Sequence, residues 1–136
     1  VITVGSSLNF RAGSIDGMSS FSSRGPAVDG RILPTVAAPG DTIASSRNDD
    51  GGSCSTPIAG TSNLYAFCSG TSMAAPQVSG VLAVATEWWR DFNAGANPSP
   101  AMAKALLVNS AVDMGAADRP NNSEGWGRVS LERLIA

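Results

Sequence analysis

At Thr71 the apolar pattern of this chain changes period, and that change limits what the whole can fold into. Downstream of it Val78, Leu82, Ala85, Trp89 and Phe92 recur at helical spacing, with Val81, Val84 and Trp88 on the adjoining face. A stripe this wide predicts a helix buried on most of its sides. The segment from Asn93 to Pro98 interrupts the pattern. Ser99-Pro100 then reads as an N-cap followed by proline at the first helical position, opening a second helix from Pro100 to about Asp113. That helix carries Met102, Ala105, Leu106, Val108 and Val112 with Lys104 as its only basic residue, so it too should be largely covered. Ser130 is placed to cap a short last helix from Leu131 to Ile135.

Upstream the pattern is that of strands. Short apolar runs at Val1 to Gly5, Thr35 to Ala38, Thr42 to Ser45 and Leu64 to Cys68 are separated by clusters of Gly, Pro, Asn and Asp. From Arg47 to Asn63 the turn chemistry predicts a long surface loop whose acidic tip, Asn48-Asp49-Asp50-Gly51-Gly52, reads as solvated rather than as a calcium loop. Four short strands cannot cover two helices this apolar. The expected fold class is therefore α/β, with a mostly parallel sheet and buried helices, incomplete in this chain. Val1-Ile2-Thr3-Val4-Gly5 reads as a buried strand entered midway, so Val1 is expected to be a cut and the missing sheet to lie before it.

Length and charge exclude several functions. With 136 residues and 43% hydrophobic content the chain has the size of one domain with a core. Its net charge of -2 and scattered Lys and Arg provide no basic face for nucleic acid or a membrane surface. No apolar run approaches the roughly 20 residues of a membrane span, and the N-terminus has no basic leader region. Cys54 and Cys68, the only cysteines, fit one disulfide in an exported protein or a pair of small reduced side chains. If bridged, they close a loop whose loss of entropy is worth about 3 kcal/mol. Two thiols in a chain without histidine do not make a metal site.

The chemistry concentrates in Gly70-Thr71-Ser72-Met73-Ala74-Ala75-Pro76. Ser72 falls in the first turn of the long helix, where free N–H groups and the positive end of the helix dipole can stabilise an oxyanion. Gly70 is read as allowing a tight turn and close approach of substrate to backbone. Ala74 and Ala75 let the helix start pack closely, and Pro76 is read as tolerated within the first turn. A serine becomes a nucleophile only beside a general base, usually an imidazole held by a carboxylate. This chain has no histidine.

The run Ser69-Gly70-Thr71-Ser72-Met73-Ala74-Ala75-Pro76-Gln77-Val78-Ser79-Gly80 resembles the serine signature of the subtilisin-like serine proteases, the subtilases. Phe21-Ser22-Ser23-Arg24-Gly25-Pro26, the turn from Arg31 to Pro34, and Ala38-Pro39-Gly40 followed by Ile43 are similar to that family's run before the serine. Gly125-Trp126-Gly127-Arg128-Val129 resembles its closing segment in secreted bacterial and plant members. The resemblance implies that residues 1–136 are the C-terminal part of a subtilase catalytic domain, with the catalytic Asp, His and oxyanion Asn in earlier segments. It implies a secreted serine endopeptidase acting on polypeptides. Ser72 would be the nucleophile, its own N–H half of the oxyanion hole, with Gly70, Thr71, Met73 and Pro76 supporting the motif. Asp16, Asp29, Asp41 and Asp113 match no catalytic acid and are expected to be surface or turn groups. Gln77 stands where many subtilases carry a non-triad histidine, and Met73 is expected to be sensitive to sulfoxide formation. Arg24 is expected to organise its loop by hydrogen bonding. No cofactor is implied beyond calcium in the intact protein, whose ligands the sequence does not assign.

The chain alone is expected to be inactive, its partner being the missing N-terminal part of the domain, or another copy of itself through the exposed face. The alternatives are a non-catalytic fragment acting as a folding or binding module, and one chain of a nicked protease.

Overall fold

The computed structural model describes residues 1–48, 52, 54, 56–115 and 118–136. Its elements follow the order β1 (Val4–Ser7), β2 (Val36–Pro39), β3 (Ile43–Ser46), β4 (Tyr65–Cys68), α1 (Thr71–Phe92), α2 (Pro100–Ser110) and α3 (Leu131–Ile135). This is a mixed α/β structure with few strands. Strands β1 and β2 pair in parallel from Val4 against Val36 to Ser7 against Pro39, and β3 and β4 form an antiparallel pair from Ile43 against Cys68 to Ser46 against Tyr65.

β1 begins three residues later and ends two residues later than its apolar residues suggest, because Ser6 and Ser7 are fully buried strand residues. Serine is tolerable there when its polar groups find partners. Ser6 N–H donates to Ser22 Oγ at 2.9 Å, and Ser6 Oγ pairs with Ser19 Oγ at 2.8 Å. Ahead of the strand, Thr35 N–H donates to Thr3 Oγ1 at 2.8 Å and fixes the register.

The far edge of β2 is continued by the segment carrying the Gly-Trp-Gly motif. Ala37 N–H donates to Gly127 O and Val129 N–H to Ala37 O, both at 2.9 Å; Arg128 and Val112 then exchange both main-chain bonds at 2.7 and 2.8 Å. This pairing explains why α2 stops at Ser110 rather than near Asp113: the backbone of Val112 is extended and pairs with Arg128. It also explains the spacing of the glycines, since Gly125 and Gly127 have φ of +68° and +107°. A Cβ at Gly127 would collide with the Val112 carbonyl, and one at Gly125 with the carbonyls of Pro34 and Thr35.

The core joins α1 to β2 through small residues. Ala74, Val78 and Ala85 of α1 pack with Val36, Ala38, Leu107, Ala111, Val129 and Leu134. Alanine at 38, 74, 85 and 111 lets backbones approach, while Leu107, fully buried, contributes about 2 kcal/mol by leaving water. The expected burial of both helices on most sides is not what the structure shows. Val84 is 44% exposed, Phe92 76% and Met102 39%. The two-stranded β1–β2 sheet with its short extension covers one face of α1.

Cys54 and Cys68 form a disulfide with Cα atoms 5.0 Å apart, within the usual span of such a bridge. It ties the loop after β3 to the last residue of β4. The expected acidic tip at Asp49 and Asp50 lies outside the described residues.

Candidate active site

Ser72 is the second residue of α1 and is exposed to solvent. Its main-chain N–H belongs to the first turn, where no intrahelical acceptor exists and the helix dipole is positive. The N–H of Met73 is used locally, donating to Gly70 O at 3.0 Å. Ser72, Met73, Pro76 and Gln77 form one side of an open cavity of about 360 Å³, and Ile43, Ala44 and Cys68 of the β3–β4 pair form the other. The disulfide therefore stands at the wall of the cavity into which Ser72 opens. Gly70, Thr71, Ser72, Met73 and Pro76 are thus gathered at one helix start, with the Cys54–Cys68 bridge beside them.

Two details of the motif differ from the sequence reading. Pro76 is the sixth residue of α1, not part of its first turn. At that position its missing N–H is the one that would have bonded the Ser72 carbonyl, so the proline leaves that carbonyl unpaired within the helix. Gly70 has φ 162° and ψ 159°, an extended conformation that any residue adopts. A Cβ there would meet Met73 Sδ at 3.6 Å and Ser72 N at 3.7 Å, ordinary contacts. Gly70 is thus not required by the turn.

The glycine that the site does require is Gly40, directly after β2. Its carbonyl accepts Gly70 N–H at 2.7 Å and its N–H donates to Ser7 O at 3.0 Å, so main-chain bonds run from β1 through Gly40 to the residue two before Ser72. A Cβ on Gly40 would overlap Ser6 Oγ and lie 2.6 Å from Gly70 O and 3.1 Å from Ala74 Cβ. Gln77 adds a second tie, its Nε2 donating to Pro39 O at 2.6 Å. In the sequence this close approach is legible only as the Ala-Pro-Gly run.

The remaining residues singled out from sequence fall elsewhere. Asp29 is an exposed turn group whose carboxyl is held below the ordinary range by the hydrogen bond from Arg31. Asp16 pairs with Arg128 at 3.3 Å, 112 residues away. Arg24 is exposed and its guanidinium has no hydrogen-bond partner among the described residues; its loop is organised instead by Gly25 N–H, which donates to Leu33 O and Asn122 O. Asp113 departs most from the surface group expected of it, with a buried Oδ1 that has no hydrogen-bond partner among the described residues.

Asp113, Asp118 and Glu124 place carboxylate oxygens within 4.8 Å of one another, the one such group among the described residues and a set whose chemistry suits a hard cation. Glu124 is 3% exposed. Burial pushes its carboxyl above the ordinary range, against a bond from Met114 N–H at 3.3 Å, and the adjacent Asp113 carboxyl adds to the rise. Sequence reasoning missed this cluster because Glu124 follows Asn121, Asn122 and Ser123, a polar run with no local signal of burial.

A family model described as the subtilase family matches residues 1–127. The chain is 36% identical over 125 residues to C5a peptidase of Streptococcus pyogenes, a match covering 88% of this chain and 10% of that protein. It is 33% identical over 132 residues to the serine protease/ABC transporter B family protein tagA of Dictyostelium discoideum, covering 86% of this chain and 7% of the relative. The chain thus spans a tenth or less of the length of these relatives. Among solved structures it is similar to the CspB protease of Clostridium perfringens, with a TM-score of 0.75 at 32% identity over 99% of this chain and 25% of that one. It is also similar to fervidolysin from Fervidobacterium pennivorans, a keratinolytic enzyme related to subtilisin, with a TM-score of 0.74 at 31% identity over 99% of this chain and 19% of that one.

Proposed function

Because the chain belongs to the subtilase family, we propose that residues 1–136 are the nucleophile-bearing C-terminal segment of the catalytic domain of a secreted serine endopeptidase. The observation that carries this reading is the position of Ser72, exposed in the first turn of α1 and opening into a cavity between that helix and the β3–β4 pair. There a peptide carbonyl can reach Oγ and the first-turn N–H together.

In the mechanism that follows, Ser72 Oγ gives its proton to an imidazole and attacks the scissile carbonyl. The oxyanion of the tetrahedral intermediate takes a hydrogen bond from Ser72 N–H. The intermediate collapses to an acyl-enzyme as the imidazolium protonates the leaving amine, and water, activated by the same imidazole, releases the acid. None of the 136 residues is histidine, so the imidazole has to come from polypeptide outside them. Loss of the base from such a triad costs roughly 10⁶ in kcat in subtilisin, the worked case for this kind of site. The chain by itself is therefore inactive under this reading.

The exposed Val84 and Phe92 support the same division, as an apolar helix face for the rest of the domain to cover. In its absence a second copy would take that place. The paired cysteines fit export to an oxidising compartment, and among the described residues no helix is long and apolar enough to cross a membrane. The test is the full-length protein with Ser72→Ala. Loss of nearly all peptide hydrolysis with an unchanged melting temperature supports the assignment, and retained hydrolysis overturns it.

A further inference from the structure

The turn before Ser72 is held from its side by a carboxylate that the chemistry of Ser72 does not itself call for. Asp41 follows Gly40 where the chain leaves β2 for β3. Its Oδ1 accepts from Ser69 Oγ at 2.9 Å and from Thr42 Oγ1 at 3.0 Å. Ser69 Oγ in turn accepts Thr42 N–H at 2.8 Å, which Thr42 presents from a left-handed conformation with φ 53°. Asn9 braces this turn from behind, its Nδ2 donating to Asp41 O at 2.7 Å and to Thr42 O at 3.3 Å. With Gly70 N–H on Gly40 O, both residues immediately before the helix are tied to the 40–42 turn, Gly70 through main chain and Ser69 through Asp41.

We propose that Asp41 is a positioning residue for the reaction at Ser72. Its carboxylate orients the Ser69 hydroxyl, and that hydroxyl holds Thr42 N–H, so the chain entering α1 cannot swing about Gly70. The inference rests on reading Ser72 as the nucleophile. Ser69 is exposed, and hydrogen bonds of this kind contribute little to global stability because water replaces them. The placement of an attacking oxygen tolerates far less error. Removing the carboxylate should therefore separate rate from stability. A carboxylate that only shaped its own turn would do the reverse, lowering the melting temperature while kcat stays put.

The experiment uses the full-length protease with Asp41→Ala, Asp41→Asn, Ser69→Ala and the Asp41→Ala/Ser69→Ala pair, measuring kcat and KM separately on a peptide substrate alongside thermal melts. Asp41→Ala should lower kcat about tenfold with KM and melting temperature unchanged. Asp41→Asn, whose amide oxygen still accepts from Ser69, should recover most of the loss. In the Ser69→Ala background the Asp41→Ala change should add little, because its route to Ser72 is already cut. A wild-type kcat in Asp41→Ala, a loss of melting temperature with no loss of kcat, or the full tenfold effect persisting without the Ser69 hydroxyl would each overturn the proposal. If Asp41→Ala does not fold, Ser69→Ala decides, with a lowered kcat expected and an unchanged one contradicting it. A wild-type protein that neither hydrolyses peptide nor takes a fluorophosphonate on Ser72 would sink the nucleophile reading first, and this inference with it.

Discussion

Replacing Gly40 by alanine should damage the site more than replacing Gly70, although Gly70 lies in the motif itself. A Cβ on Gly40 would sit 2.6 Å from Gly70 O and 3.1 Å from Ala74 Cβ, and inside the contact distance of Ser6 Oγ. None of these can step aside cheaply. The first is backbone, Ala74 and Ser6 are fully buried, and Ser6 Oγ is bonded to Ser19. Restoring an ordinary carbon–oxygen separation of about 3.3 Å requires the Gly70 carbonyl or the end of β2 to move by roughly 0.7 Å. Overpacking of this kind costs about 1–3 kcal/mol. The displaced carbonyl is two residues from the nucleophile, and a shift approaching 1 Å can cost on the order of 10²-fold in rate. Gly70→Ala meets nothing closer than 3.6 Å and keeps an extended backbone, so its stability change should stay within about 0.5 kcal/mol. Thermal melts and kcat/KM on a peptide substrate, measured for both variants of the full-length protein, give the comparison. A Gly40→Ala enzyme that melts and turns over like wild type would refute the close-approach argument, as would a Gly70→Ala enzyme less stable than Gly40→Ala.

Three further outcomes follow from the same geometry. Substituting both Cys54 and Cys68 by serine should lower stability by about 3 kcal/mol, read as a shift in denaturant midpoint at constant slope; an unchanged midpoint would show that the bridge does not constrain the loop. Glu124→Gln tests the buried carboxyl. A folded-state pKa raised above the ordinary 4.5 gives a contribution to stability that is present below that value and is lost as pH rises through the raised one. The wild-type protein should lose stability relative to Glu124→Gln across that window, and parallel melting curves against pH would contradict the assignment. Peroxide should lower activity by oxidising Met73 in the cavity beside Ser72, and Met73→Ala should be resistant; equal inactivation of both would place the sensitive group elsewhere.

The helices were legible in the sequence because their signals are local. Ser99 accepts from Met102 N–H and Ser130 from Arg133 N–H, as residues of their type at those spacings suggest. The position of Ser72 at a helix start was legible for the same reason. What sequence could not show depends on partners far along the chain. The burial of Ser6 is supported by Ser22 and Ser19, the end of α2 by Arg128, and the need for Gly40 by a carbonyl 30 residues on. Asp41 and Asp113 read alike as turn acids in sequence, yet one holds Ser69 and the other turns a buried carboxylate oxygen into the cluster with Glu124. The excess exposure of α1 has a different origin. Its apolar stripe is matched to more surface than β1, β2 and their neighbours provide.

The central claim is that Ser72 is a nucleophile activated by a base these 136 residues do not contain. Treating the full-length protein and the isolated chain with a fluorophosphonate, then locating the adduct by peptide mass mapping, tests it most directly. The account predicts an adduct on Ser72 in the full-length protein and none in the isolated chain. An adduct on another serine in the full-length protein, or rapid labelling of Ser72 in the chain alone, would contradict it.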